Sequence, residues 1–167
     1  ALATTGKPII LVLAQGRPRI INEIDELADA IVFASYPGNE GGRAIAEILY
    51  GDYNPSGKLA YTYPRSVNGL MTYDHKGTEL VGTNFGNDAF SPQFEFGHGL
   101  SYTNFNYKKL KLSSKKLATN GLITISVEVK NTGKRDGAEV VQLYIADKIA
   151  SITPSIKRLR GFEKIFL

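Results

Sequence analysis

The sequence predicts an α/β unit followed by an all-β unit, the first built on a parallel sheet and the second on an antiparallel sandwich. Three observations predict it. Between residues 8 and 64, continuous aliphatic runs alternate with segments of helical spacing. From Asn104 onward the period changes to two, apolar against polar. Between these stretches, residues 65 to about 95 carry no periodicity and are rich in Asn, Gly, Asp and Thr, as a long functional connection would be.

The first strand is PIILVLAQG, residues 8–16, a β-branched and aliphatic run of the kind buried on both faces of a parallel sheet. INEIDELA follows, with Ile21, Ile24, Leu27 and Ala28 at helical spacing and four acidic or amide side chains pointing elsewhere, which predicts a short amphipathic helix. DAIVFASY, residues 29–36, is the next strand, and PGNEGG turns the chain into RAIAEILYG. There Ala44, Ile45, Ile48 and Leu49 make one stripe, Arg43 and Glu47 pair at i,i+4, and Gly51 stands where a helix ends. NPSGKLAYTYP then predicts a turn and a third strand ending at Pro64. Sheets usually have about four to six strands, so the front half of this domain is expected before Ala1.

In the second unit, Ile123, Ile125, Val127 and Val129 alternate with polar residues, NTGKRDG turns the chain, and EVVQLYIA, residues 139–146, runs back. This predicts an antiparallel hairpin with one wet face. With KRLRGFEKIFL as a further strand, the pattern fits a β-sandwich of the fibronectin or immunoglobulin type. Such a domain takes about 100 residues, and the sequence stops at Leu167 inside an apolar run, so the sandwich is expected to be incomplete.

Composition excludes some chemistry. With no cysteine there is no disulfide, thiol nucleophile or thiolate metal site. No apolar run approaches the roughly 18 to 20 residues of a membrane-spanning helix, and no membrane partner is expected. The net charge of +4 raises the question of an acidic partner. Its densest basic run, KKLKLSSKKL at 108–117, holds no aromatic side chain to stack on bases and reads as a solvated strand, so no nucleic acid is expected.

Three places could carry chemistry. In FGHGLSY, residues 96–102, His98 and Ser101 invite a base and nucleophile reading, but the G-x-S-x-G elbow and a following helix are missing. Gly97 and Gly99 on either side of His98 point instead to a backbone hinge between domains. His75 in TYDHKG has no metal-ligand spacing such as H-E-x-x-H, and it is a candidate for a loop beside a ligand cleft. The YPGNEGG loop sits at the carboxyl end of a parallel strand, where α/β sheets collect ligands, which makes Tyr36, Asn39 and Glu40 cleft candidates. The same residues also read as a tight turn with Glu40 at the positive end of the next helix.

TGKPIILVLAQGRPRII, ADAIVFASYPGNEGGRAIAEILYGDYNPSGKLAYTYPRS, YDHK, FEFGHGLSYTNF and VKNTGKRDGAEVVQLYIAD occur in that order. Together they resemble the C-terminal part of glycoside hydrolase family 3, the β-glucosidases and related exo-acting enzymes. The resemblance covers nearly the whole chain and is least characteristic from Gly77 to Gln93. It implies a three-part enzyme: a β/α barrel, an α/β sandwich and a fibronectin type III-like domain. Residues 1–64 would close the sandwich, 65–103 form the linker and cleft-side loop, and 104–167 begin the third domain.

Retaining glycosidases use two carboxylates about 5 to 5.5 Å apart. The resemblance places both ahead of Ala1, so no catalytic residue is assigned in this chain. It implies a β-linked glucoside as substrate, no cofactor and no metal. It also implies an extracytoplasmic home, periplasmic or secreted, since family members with the third domain are often exported. The chain alone is expected to be inactive and, with exposed sheet edges, to associate with the remainder of the same enzyme or as a homodimer. The competing reading is a non-catalytic carbohydrate-binding or structural module, with Tyr36, Tyr73 and Phe90 facing sugar.

Overall fold

The computed structural model describes residues 2–67, 69, 71–76 and 91–167. After a 3-10 turn at Leu2–Thr5, strand β1 (Ile10–Leu13) lies parallel to β2 (Ala30–Phe33) in the register Ile10 to Ala30 through Leu13 to Phe33. Asp29 sets the start of the pairing, because its carboxylate accepts a bond from the Ile9 amide at 2.8 Å. Both strands are half-buried rather than closed on both faces, with Ile10 exposed.

The expected helix over 21–28 is a single turn, α1 (Asn22–Asp25). Past Asp25 the backbone tightens to three-residue bonds, Leu27 to Ile24 and Ala28 to Asp25. Four residues leave almost no propagation to repay helix nucleation. Of the predicted stripe only Ile21 is buried, while Ile24 and Leu27 are exposed. Helix α2 (Gly41–Tyr50) is longer and begins two residues before the expected RAIAEILYG. Its Arg43–Glu47 pair closes at 2.7 Å, and Gly51 ends it in the left-handed conformation at φ 81°.

The third strand expected to end at Pro64 does not join the parallel sheet. Residues 59–63 bend at 60 and 61 and bond to the connecting segment: Leu59 N donates to His98 O at 2.8 Å, Gly97 N to Leu59 O at 2.7 Å, and Tyr63 N to Phe94 O at 2.8 Å. The reason lies in Tyr63, which is 1% exposed. It sits among Phe33, Tyr61 and Phe94, with its hydroxyl donating to Arg19 O at 2.8 Å and accepting from Gln15 Nε2 at 2.9 Å. One aromatic cluster thus holds the connection against the carboxyl end of β1.

The all-β part holds two two-stranded antiparallel sheets, β3 (Phe105–Leu112) with β4 (Ile125–Asn131), and β5 (Ala138–Ile145) with β6 (Arg158–Phe166). The predicted hairpin is therefore corrected: β4 and β5 belong to different sheets, and NTGKRDG arches between them. Asn131 makes the arch. Its Oδ1 accepts from Gly133 N at 3.0 Å and Thr103 Oγ1 at 2.7 Å, and its Nδ2 donates to Arg135 O at 2.8 Å and Leu167 O at 3.1 Å. These side-chain bonds replace the strand-to-strand bonds that a hairpin turn would continue.

A bulge interrupts β3 between Lys108 and Lys111, where three steps on β3 oppose two on β4. Lys109 takes the left-handed conformation there (φ 53°), and its Nζ lies 2.7 Å from Glu128 Oε2. The extra residue shifts the alternation, so Leu110 and Leu112 rather than Lys111 continue the face carrying Phe105 and Tyr107. The basic run thus begins as a strand, in line with the solvated reading. Among the described residues Ile21, Tyr63 and Pro64 are the buried apolar side chains, while Leu110, Leu122, Phe162 and Phe166 are well exposed.

Candidate functional site

Two places draw the candidate residues: the carboxyl end of the parallel pair and the seam between the α/β part and the sandwich. At the first, two residues past the end of β2, comes Ser35, a non-glycine residue at φ 53°, followed by Tyr36. Tyr36 is 81% exposed, and its ring edge rests on Gly16 at the carboxyl end of β1. A Cβ on Gly16 would overlap the ring and lie 2.7 Å from the phenol oxygen, so only glycine admits this placement. Asn39 and Glu40 follow on the same loop and are exposed. Glu40 is the residue before the first turn of α2, yet its side chain makes no capping bond to the helix. Its carboxylate remains next to the positive helix end without being consumed there.

His75 lies elsewhere. Its carbonyl accepts from Ile156 N at 2.9 Å, and Lys76 bridges Ser155, which attaches residues 75–76 to the entrance of β6. Its ring Nδ1 is 3.2 Å from Thr72 O. The structure thus groups Tyr36, Asn39 and Glu40 and sets His75 on a separate element. Tyr73 stacks on Phe96 at 4.3 Å, and its hydroxyl accepts from Leu159 N, while Phe90 lies outside the described residues. Among the described residues there is no group of three His, Cys, Asp or Glu side chains that could hold a metal ion.

The seam is built around FGHGLSY. Gly97 has φ 81°, and its carbonyl accepts from Gln142 Nε2 on β5 at 3.3 Å. Gly99 faces Gly57 so closely that a Cβ would overlap the Gly57 carbonyl oxygen. Between them His98 is exposed, with its ring stacked on Phe94 at 5.2 Å. Ser101 Oγ donates to Asn54 Oδ1 at 2.9 Å and accepts from Thr103 N at 3.3 Å. That hydroxyl is committed to holding backbone, and His98 is occupied by an aromatic stack, so the pair has no base and nucleophile geometry.

Sequence reasoning missed the residues that close the seam. Lys58 and Glu139 form a largely buried pair at 3.4 Å, their side chains 15% and 12% exposed. Lys58 Nζ also donates to Gly99 O at 2.6 Å, and Tyr107 OH donates to Glu139 Oε1 at 3.0 Å. Burial first, then the hydrogen bond and charge of Glu139, push the Tyr107 hydroxyl up to about 12. Asn54 adds Nδ2 to Asp136 O at 3.0 Å and Oδ1 to the Tyr102 amide at 2.8 Å. Arg135 bonds the Gly51 carbonyl at the end of α2 and lies over the Tyr102 ring at 5.4 Å. Lys58 and Glu139 are 81 positions apart, so neither carries a local signal; each becomes legible only once both are seen at the contact.

Comparison with known proteins agrees with this architecture. Residues 1–102 match the glycosyl hydrolase family 3 C-terminal domain, and residues 139–167 match a fibronectin type III-like domain. A periplasmic beta-glucosidase of Salmonella typhimurium is 46% identical across 100% of this chain, which covers 23% of that protein. A beta-xylosidase of Formosa agariphila is 44% identical, again across the whole chain and 24% of the relative. Among solved structures, a β-glucosidase of Erythrobacter marinus superposes with a TM-score of 0.91 at 43% identity, covering 99% of this chain and 22% of the other. A Listeria innocua beta-glucosidase solved with glucose gives 0.86 at 35% identity, covering 99% and 24%. The chain spans about a quarter of the length of these relatives. Its element order, its arch between sheets and its match along the full length have one common source: the chain belongs to glycosyl hydrolase family 3.

Proposed function

We propose that the full-length protein is a retaining, exo-acting β-glucosidase that releases terminal β-D-glucosyl residues, and that this chain supplies scaffold and cleft wall without the catalytic carboxylates. In such an enzyme one carboxylate attacks the anomeric carbon to form a glycosyl-enzyme. The other protonates the leaving oxygen and then activates water to release the sugar. Both belong to the part of the polypeptide outside residues 1–167. The carrying observation is the unbroken likeness of the whole chain to β-glucosidases, at a TM-score of 0.91 for one of them.

In this reading residues 1–64 close the sandwich domain, 65–103 are the linker and 104–167 begin the third domain. Gly97, His98 and Gly99 are the hinge, held by the Lys58–Glu139 contact. Tyr36, Asn39 and Glu40 face the cleft from the carboxyl end of β2, and His75 approaches it from the linker. The substrate is a β-linked glucoside or oligosaccharide, as fits a Listeria relative solved with laminaribiose. An extracytoplasmic location is supported by the periplasmic Salmonella relative.

The test is hydrolysis of aryl β-glucoside and aryl β-xyloside by the full-length protein and by residues 1–167 alone. The expected result is glucoside turnover by the first and none by the second. Turnover by the isolated chain would refute the assignment of the carboxylates, and a preference for the xyloside would refute glucosyl specificity.

A further inference from the structure

Resting on that proposed activity, we infer that Tyr36 is a substrate-contacting residue and that it stacks on the leaving-group side of the scissile bond. The geometry has three parts. First, Ser35 at φ 53° turns the backbone sharply two residues past the end of β2, a conformation L residues avoid. The residue it throws outward is Tyr36, 81% exposed. Second, the ring is positioned without being buried. Its edge lies on Gly16, where an added Cβ would be 2.5 Å from Cζ. A large aromatic surface held in one place with most of its area free is a preorganised platform, and binding to it loses little side-chain entropy. Third, it stands at the carboxyl end of two parallel strands, where α/β sheets place ligands.

The surroundings select which sugar it meets. Distinguishing one glycone from another takes buried polar groups that are left unpaired by the wrong substrate. Tyr36, Asn39 and Glu40 are all exposed, so this loop has no such group. It offers an apolar face for the C–H surface of a pyranose or an aryl ring, with an amide and a carboxylate beside it for hydroxyls. That combination tolerates variety, which is what a leaving-group subsite needs. Among the described residues the ring rests only its edge on Gly16 and stays 81% exposed.

The experiment compares Tyr36→Ala, Tyr36→Trp and Gly16→Ala in the full-length protein, measuring kcat and KM on a β-linked glucose disaccharide. It also measures inhibition by gluconolactone, which occupies the glycone side alone, and thermal unfolding. Tyr36→Ala is expected to raise KM about tenfold, the scale of one aromatic contact, with kcat and the lactone inhibition constant little changed. Tyr36→Trp keeps or lowers KM, and Gly16→Ala raises it as Tyr36→Ala does, because the ring is displaced. An unmoved KM, a parallel rise in the lactone constant, or a loss of thermal stability with KM unchanged each overturns the inference. The last outcome would mean that the ring packs against the rest of the polypeptide. A wild-type protein without glucosidase activity overturns the proposed function itself, whereas an active one with unmoved KM overturns only the role of Tyr36.

Discussion

Replacing Gly99 with alanine tests whether the seam depends on a backbone contact. The new Cβ would overlap the Gly57 carbonyl oxygen, lie 3.2 Å from its carbon and 3.0 Å from Lys58 Cδ. The obstruction is main chain, so no rotamer change removes it, and relief requires the two segments to part by about 1 Å. Three bonds sit within that movement: Leu59 N to His98 O at 2.8 Å, Gly97 N to Leu59 O at 2.7 Å, and Lys58 Nζ to Gly99 O at 2.6 Å. Overpacking costs about 1–3 kcal/mol and each weakened bond about 0.5–1.5 kcal/mol; because the bonds are strained rather than lost, the low ends of these ranges apply and together give about 3 kcal/mol. Gly57→Ala is the matched control, because its Cβ meets nothing within 4 Å. Reduced freedom in the unfolded chain should make it neutral or about 0.4–1 kcal/mol stabilising.

At about 2–4 °C per kcal/mol for a unit of this size, calorimetry of the full-length protein should show the transition containing this region fall by about 6–12 °C for Gly99→Ala. Hydrogen exchange at the Leu59 and Gly97 amides should accelerate as well. Unchanged exchange together with a transition within about 2 °C of wild type would refute the argument that Gly99 is required by close approach.

Two further outcomes follow from the same seam. Lys58→Met strands the Glu139 carboxylate at 12% exposure and should cost about 3–5 kcal/mol in denaturant unfolding, whereas Lys58→Met with Glu139→Leu should recover most of it; equal losses in the single and double variants would contradict the pairing. Because the Tyr107 hydroxyl is raised from 10.0 to about 12 in the folded state, its contribution is complete below pH 10 and lost as pH rises through about 12. Stability should therefore decline across that window, Tyr107 should titrate late in tyrosinate absorbance alongside the raised hydroxyls of Tyr61 and Tyr144, and Tyr107→Phe should remove its own share of both effects.

The hydrophobic runs at 8–16 and 29–36, the i,i+4 pair of Arg43 and Glu47 and the placement of Gly51 determined by themselves two parallel strands and the long helix. Each is a local pattern set by side chains within a few residues of one another. The family, too, was legible in motifs as they stand. What failed were the elements whose outcome depends on distant partners. Residues 59–63 carry a strand's pattern, but Tyr63 finds Phe33, Phe94 and the Arg19 backbone, and pairing goes to the connection instead of the sheet. Residues 123–146 alternate as a hairpin would, but Asn131 takes up the turn and Leu167, and the two strands part into different sheets.

The candidate site divides the same way. A loop after a parallel strand could be read from the chain, and so could the two glycines around His98. The burial of Lys58 against Glu139, and the resting place of Tyr36 on Gly16, could not. Alternation and spacing record the choices a segment makes against its own neighbours; charge pairing, strand partner and ring placement are decided only where the chain returns to meet itself.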